Sequence, residues 1–191
     1  IIPGTKSTIA DLKFLKYQGW DIDIKAHYRR GGSILGICGG YQILGNEIID
    51  DQGYDGTPSK AKGLGLLNVK TKMGKEKNLG KKEFISTING KKISGYEIHL
   101  GITSGSDCNN PFAILGNRKD GAISSNGLVM GTYLHGLFFS DEFRNNFVAK
   151  LSSEEKKEDI SFHESIEFIL EEFVRVIEDN LDVDSILSVA R

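Results

Sequence analysis

The sequence predicts an α/β domain: an open parallel or mixed sheet with helices on its faces. Three observations point there. Short apolar runs of buried-strand type alternate with segments of helical periodicity. One such run enters a glycine-flanked turn and leaves it as a helix. All 23 glycines of the 191 residues lie between Gly4 and Gly136, so turns are concentrated in one body and a glycine-free stretch follows it.

In chain order, Ile1-Ile2-Pro3-Gly4 reads as a strand end and its turn. Residues 8–17 carry Ile9, Leu12 and Leu15 at helical spacing, and Gly19 lies where a C-terminal cap belongs. Ser33–Ile37 is a buried-type strand that runs into Cys38-Gly39-Gly40, and Tyr41–Gly45 continues as a helix. Ten lysines between Lys60 and Lys92, set among strand-like pieces such as Leu64–Thr71, predict a solvated hairpin. Gly131–Phe138 is strand-like up to Gly136. Beyond it, Phe162, Ile166, Ile169, Leu170, Phe173 and Ile177 recur at helical spacing between glutamates. The expectation is a core over 1–150 and an acidic helical segment over 151–191 that packs its apolar stripe on the core. An acidic protein-binding helix is the alternative for that segment.

Composition narrows the function classes. There are 24 Lys+Arg against 26 Asp+Glu, a net charge of −2, and the basic residues are too dispersed for a nucleic-acid footprint. Residues 1–136 hold 18 basic and 12 acidic side chains, whereas 137–191 hold 6 and 14. No run approaches the length of a membrane span. Two cysteines make no disulfide framework, which fits a reducing, cytoplasmic setting. The four histidines and two cysteines show no metal-ligand spacing, so no metal is expected.

The chemistry gathers at Cys38. Gly36-Ile37-Cys38-Gly39-Gly40 has the G-x-nucleophile-x-G form of an elbow, a strand-to-helix turn too tight for flanking side chains. It places sulfur at a helix N-terminus, which favours thiolate, and offers the Gly39 N–H to an oxyanion. A thiolate nucleophile wants an imidazole. His135 closes the strand-like run 131–136, and His99 lies in Gly95-Tyr96-Glu97-Ile98-His99-Leu100-Gly101, where alternation puts Glu97 and His99 on one face. Spacing alone leaves both histidines as candidate bases. His27 and His163 read as structural or exposed, and Cys108, in a loop-like stretch, as incidental.

Four motifs together resemble the glutamine amidotransferase domains of the cobyric acid synthase family: Pro3-Gly4-Thr5-Lys6-Ser7-Thr8, Gly36–Gln42, Gly95–Gly101 and Gly131–Phe138. They stand in the family's order and spacing. The resemblance implies a class I, triad-type, flavodoxin-like fold and a glutaminase that releases ammonia. In this family ammonia serves the ATP-dependent amidation of carboxylate side chains of adenosylcobyrinic a,c-diamide in cobalamin biosynthesis. It further implies Cys38 as nucleophile and His135 as base, with backbone N–H groups at Gly39 and Gly4 around the oxyanion. Tyr41 and Gln42 would shape the glutamine pocket, with Glu97 and His99 nearby. No cofactor is implied for this domain; ATP and magnesium belong to a synthetase domain, with a corrinoid as acceptor.

Two departures from the pattern stand out. Class I triads place Glu two residues after the histidine, where this chain has Leu137; the cobyric-type branch commonly lacks that Glu. This leaves the orienting partner of His135 open, with Glu97 as candidate, and predicts modest glutaminase activity for the isolated domain. No G-x-x-x-x-G-K-[ST] occurs, so the expectation is an amidotransferase piece without its opening strands and without its synthetase. Related amidotransferases acting on cell-wall lipid II or cobyrinic acid are alternatives, as is an unrelated cysteine hydrolase.

Overall fold

The computed structural model describes residues 1–152 and 161–189. Its elements are α1 (Thr8–Tyr17), α2 (Trp20–Arg29), β1 (Ile34–Ile37), α3 (Gly39–Leu44), β2 (Glu47–Asp50), β3 (Ser59–Lys62), β4 (Val69–Ser86) and β5 (Lys92–Gly105). There follow β6 (Ala113–Leu115), β7 (Arg118–Asp120), β8 (Ala122–Ile123), β9 (Val129–Thr132), β10 (Leu134–His135), α4 (Asp141–Leu151), α5 (Phe162–Asn180) and α6 (Val183–Val189). The mixed α/β class is as expected, but the strands divide into two sheets. A three-stranded sheet has the order β1-β9-β8, and a seven-stranded sheet runs β10-β5-β4-β2-β3 with β6 and β7 attached to β4.

In the smaller sheet β1 and β9 pair in parallel, Ile34 opposite Val129 through Ile37 opposite Thr132. The chain start joins it: Ile2 bridges Gly36, donating its N–H to the Leu35 carbonyl at 2.8 Å and accepting from Ile37 N at 2.9 Å. Helix α1 buries Ile9, Leu12 and Leu15 against this sheet's core, as their spacing predicts. Its N-terminus is capped from afar. The Asp55 carboxylate accepts from Thr8 N at 3.0 Å and Ile9 N at 2.9 Å, while the Ser7 hydroxyl donates to the Asp55 carbonyl.

The lysine-rich region forms a hairpin, as expected, and its two strands are long. Strands β4 and β5 pair from Val69 opposite Gly105 to Ile85 opposite Lys92, with a register shift between Lys72 and Lys77. Lys72 faces Ile102 and Lys77 faces Leu100, so the longer side carries an odd excess of residues. The buried face of β4 therefore changes parity, from Val69, Thr71 and Met73 to Phe84 and Ser86.

Helix α4 packs Phe143 and Phe147 into a second core with Phe84, Phe112 and Leu134. The helix expected over the acidic segment is present as α5, but it has no buried residue. Its contact with the core among the described residues is at its first turn, where Phe162 stacks on Phe139 at 4.7 Å and Phe162 N donates to Asp141 Oδ1 at 3.0 Å. Beyond that, Phe168, Ile169 and Phe173 remain exposed. The periodicity forecast the helix correctly and the expected docking of its stripe does not extend along it, because amphipathicity fixes which face is apolar but not what covers it.

Candidate active site

Cys38 joins β1 to α3 with φ 54° and ψ −112°, the only non-glycine at positive φ among the described residues. A residue with a side chain occupies that region at a cost of about 1–3 kcal/mol. Surrounding contacts hold it there. Cys38 N donates to the Thr132 carbonyl at 2.8 Å. The helix behind it lies so close to the chain start beside β1 that a Cβ on Gly40 would stand 2.1 Å from the Ile2 carbonyl oxygen. The glycine flank is thus a packing requirement, as the elbow motif predicts.

Cys38 Sγ donates to the Ile98 carbonyl at 3.3 Å. Burial pushes its thiol above the ordinary range, and the Gly39 N–H pulls in the opposite direction. Of the two influences desolvation is the larger, so the helix-terminus position of the elbow is opposed by the burial of its sulfur.

His135 arrives from the other sheet. Strand β10 is two residues long and pairs antiparallel with β5, Leu134 opposite Glu97 and His135 opposite Tyr96. The His135 ring stacks on Tyr96 at 5.1 Å. Its Nε2 is buried without a hydrogen-bond partner, a ring nitrogen free to accept a proton. Burial lowers its pKa, with the Ile98 carbonyl working the other way as a hydrogen-bond acceptor. The two residues meet above Gly4. A Cβ there would lie 3.1 Å from His135 Cε1 and 3.4 Å from Cys38 Cβ. The structure brings Cys38, His135, Gly39 and Gly4 together, as the motifs predict.

The other candidates are placed differently. Gln42 is buried with its amide engaged inside the protein. Its Oε1 accepts from Thr8 Oγ1 at 3.0 Å, and Nε2 donates to the Leu100 carbonyl at 3.1 Å and to Tyr133 Oη at 3.2 Å. It ties α1, β5 and the base-bearing segment together. Tyr41 is core, edge-on to Tyr133 with ring centroids 5.1 Å apart, its hydroxyl 3.7 Å from Cys108 Sγ. His99 stacks on Tyr133 at 3.7 Å, its Nδ1 buried and unpartnered; burial lowers its pKa.

Glu97, the expected orienting carboxylate, is turned away from that task. It shares the inner face with Leu134 while His135 shares the other with Tyr96, and Arg118 Nη2 binds Glu97 Oε2 at 2.5 Å. Sequence reasoning did not single out Arg118, Asp120 or Tyr133. Arg118-Lys119-Asp120-Gly121 reads as a polar turn, and only burial separates it from one. Asp120 is 4% exposed, and burial raises its carboxyl to about 6 despite donors from Thr132 and Tyr133. These residues line a polar cavity of about 210 Å³ with Glu97, His99 and Tyr41. Among the described residues no group of three or more His, Cys, Asp or Glu is placed to hold a metal ion, and no helix is long and apolar enough to cross a membrane.

A family model described as a CobB/CobQ-like glutamine amidotransferase domain matches residues 1–143. Proteins named cobyric acid synthase from Cereibacter sphaeroides and Bradyrhizobium diazoefficiens are 48% and 49% identical to the chain over 191 residues. Those alignments take in 100% of this chain and 39% of each relative, so it spans well under half the length of the curated relatives it matches. A crystal structure of a glutamine amidotransferase shares the fold, with a TM-score of 0.54 at 19% identity, covering 78% of this chain and 76% of that one.

Proposed function

Since the chain belongs to the CobB/CobQ-like glutamine amidotransferase domain family, we propose that it is the glutaminase half of a cobyric acid synthase, with Cys38 as nucleophile and His135 as its base. The observation that carries this reading is the strained Cys38 elbow sharing one small space with His135 above Gly4. Cys38 Sγ attacks the side-chain carboxamide carbon of glutamine as His135 Nε2 takes the thiol proton. The oxyanion of the tetrahedral adduct rests on the Gly39 N–H and a backbone N–H beside Gly4. His135 returns the proton to the nitrogen, the C–N bond breaks, and ammonia leaves a γ-glutamyl thioester. Water, deprotonated by the same imidazole, then cleaves the thioester to glutamate and free Cys38.

Resting thiol and resting imidazole are both neutral in this scheme, in keeping with the upward displacement at Cys38 and the downward one at His135. In this reading Gln42 and Tyr41 shape the glutamine pocket, with His99 and Glu97 near it. Ammonia would pass to an ATP- and magnesium-dependent synthetase that activates carboxylates of a corrinoid acceptor. That partner is either the remainder of a longer chain or a separate subunit.

The test is labelling with the glutamine-like electrophile diazo-oxo-norleucine followed by peptide mass mapping, beside an assay of glutamate release. An adduct on Cys38 that disappears in Cys38→Ser supports the reading. Labelling confined to Cys108 overturns it.

A further inference from the structure

The Cys38–His135 pair straddles the two sheets. Cys38 ends β1 of the three-stranded sheet, and His135 lies on β10 of the seven-stranded one. Their relative position therefore depends on how the chain passes between sheets, and near the site it does so twice. It leaves the larger sheet after β7, through Gly121 at φ 72°, to form β8. It returns at Tyr133, between β9 and β10. At each passage the ladder is interrupted and backbone donors need other acceptors.

We propose that Asp120 is a positioning residue for the catalytic pair, its carboxylate tying these two passages together and so fixing His135 against Cys38. The inference rests on the glutaminase reading above. Asp120 accepts from the Thr132 hydroxyl and, through Oδ1, from Tyr133 N at 3.2 Å. Thr132 Oγ1 in turn accepts from Leu134 N at 3.1 Å, one residue before His135. The Thr132 carbonyl holds Cys38 N at 2.8 Å. One carboxylate thus secures the Thr132–Tyr133 peptide whose two ends lead to nucleophile and base.

Asp120 itself stands on a firm base. Its carbonyl accepts from Phe112 N at 2.9 Å, and it pairs with Ala113 across β6–β7. Gly121 lies so close to β9 that a Cβ would be 2.0 Å from the Gly131 carbonyl oxygen. Arg118, two residues back on the same face of β7, is pinned by Glu97 of β5. Glu97 accordingly serves the pair through β7. In place of the carboxylate that other triads set beside the imidazole, this chain orients His135 through its backbone, with the Ile98 carbonyl and the Tyr96 ring against the imidazole.

The experiment compares Asp120→Ala and Asp120→Asn in the full chain, well below the melting temperature of each. It measures kcat and KM for glutamine and the rate at which iodoacetamide alkylates Cys38. For Asp120→Ala, kcat falls about 30- to 100-fold per folded molecule while KM stays within about twofold, as an ångström-scale misplacement of the pair requires. Cys38 alkylation at neutral pH falls about tenfold, because the imidazole no longer takes the thiol proton. Asp120→Asn, which keeps an acceptor for Tyr133 N, retains kcat within about fivefold. Thr132→Val, which removes one of the two donors, gives an intermediate kcat and serves if the alanine variant does not fold.

Wild-type kcat and alkylation in the folded Asp120→Ala or Thr132→Val chain would overturn the proposal, as would a loss confined to KM or an Asp120→Asn variant as inactive as Asp120→Ala. If the unaltered chain neither hydrolyses glutamine nor takes the electrophile, the glutaminase reading fails. The alkylation rates, which need no glutamine, still decide the role of Asp120.

Discussion

Cys38 and His135 reach the same few ångströms by opposite routes. Cys38 is set by its immediate neighbours. The strand stops, the chain turns at φ 54°, and the following helix can sit against Ile2 only because residue 40 has no side chain. His135 is set by distant segments: a two-residue strand paired to β5, a chain passage at Tyr133 and a buried carboxylate at Asp120. Steric exclusion among neighbours is short-ranged and unforgiving. A position assembled from non-local hydrogen bonds is graded, so its partners tune the geometry without creating it.

The largest effect in breaking this contrast is expected at Gly40. Gly40→Ala drives a methyl into backbone that cannot give way and should destabilise the fold by more than about 3 kcal/mol. Thermal unfolding and soluble yield measure it, and an unchanged melting temperature would show that the elbow is not held against the chain start. Gly4→Ala acts on the shared space instead. Its neighbours at 3.1 and 3.4 Å can adjust slightly. The fold should therefore survive while kcat/KM drops about 100-fold; circular dichroism alongside the rate separates the two.

Glu97→Gln tests the distant side. It should lower stability by about 1–3 kcal/mol through the weakened Arg118 pair, yet leave kcat within about threefold. Chemical denaturation and initial rates together check this, and a collapse of kcat at unchanged stability would restore Glu97 as the orienting group. The smallest change is expected with pH. With His135 below its usual 6.5 and Cys38 above its usual 9.0, kcat/KM should stay flat from somewhat under pH 6.5 to somewhat over pH 9. For stability, the lowered pKa of His135 makes a contribution complete above pH 6.5 and lost as pH falls through the folded value. An acid limb above 6.5 in a pH–rate profile would contradict the neutral resting pair.

Much of the site was legible because its motifs are local. The elbow glycines, helix α1 and the helical stripe of α5 follow from spacing over a few residues. The covering of α5 was not legible, since an apolar face does not name its partner. The β4–β5 hairpin was legible from its lysines, but the register shift that reverses which parity is buried was not. Glu97 was read as a candidate orienter because Leu137 stands where other triads carry a Glu, but the facing strand put Leu134, not His135, opposite it.

The sequence by itself determined the elbow at Cys38 and the family of chemistry, because backbone strain and glycine contacts are settled within a handful of consecutive residues. Only the tertiary structure decided the burial of Cys38, the partner of Glu97 and the hydrogen bonds of Asp120. Those depend on burial and on hydrogen bonds between segments far apart in the chain, and desolvation is a property of the assembled surroundings that no local pattern carries.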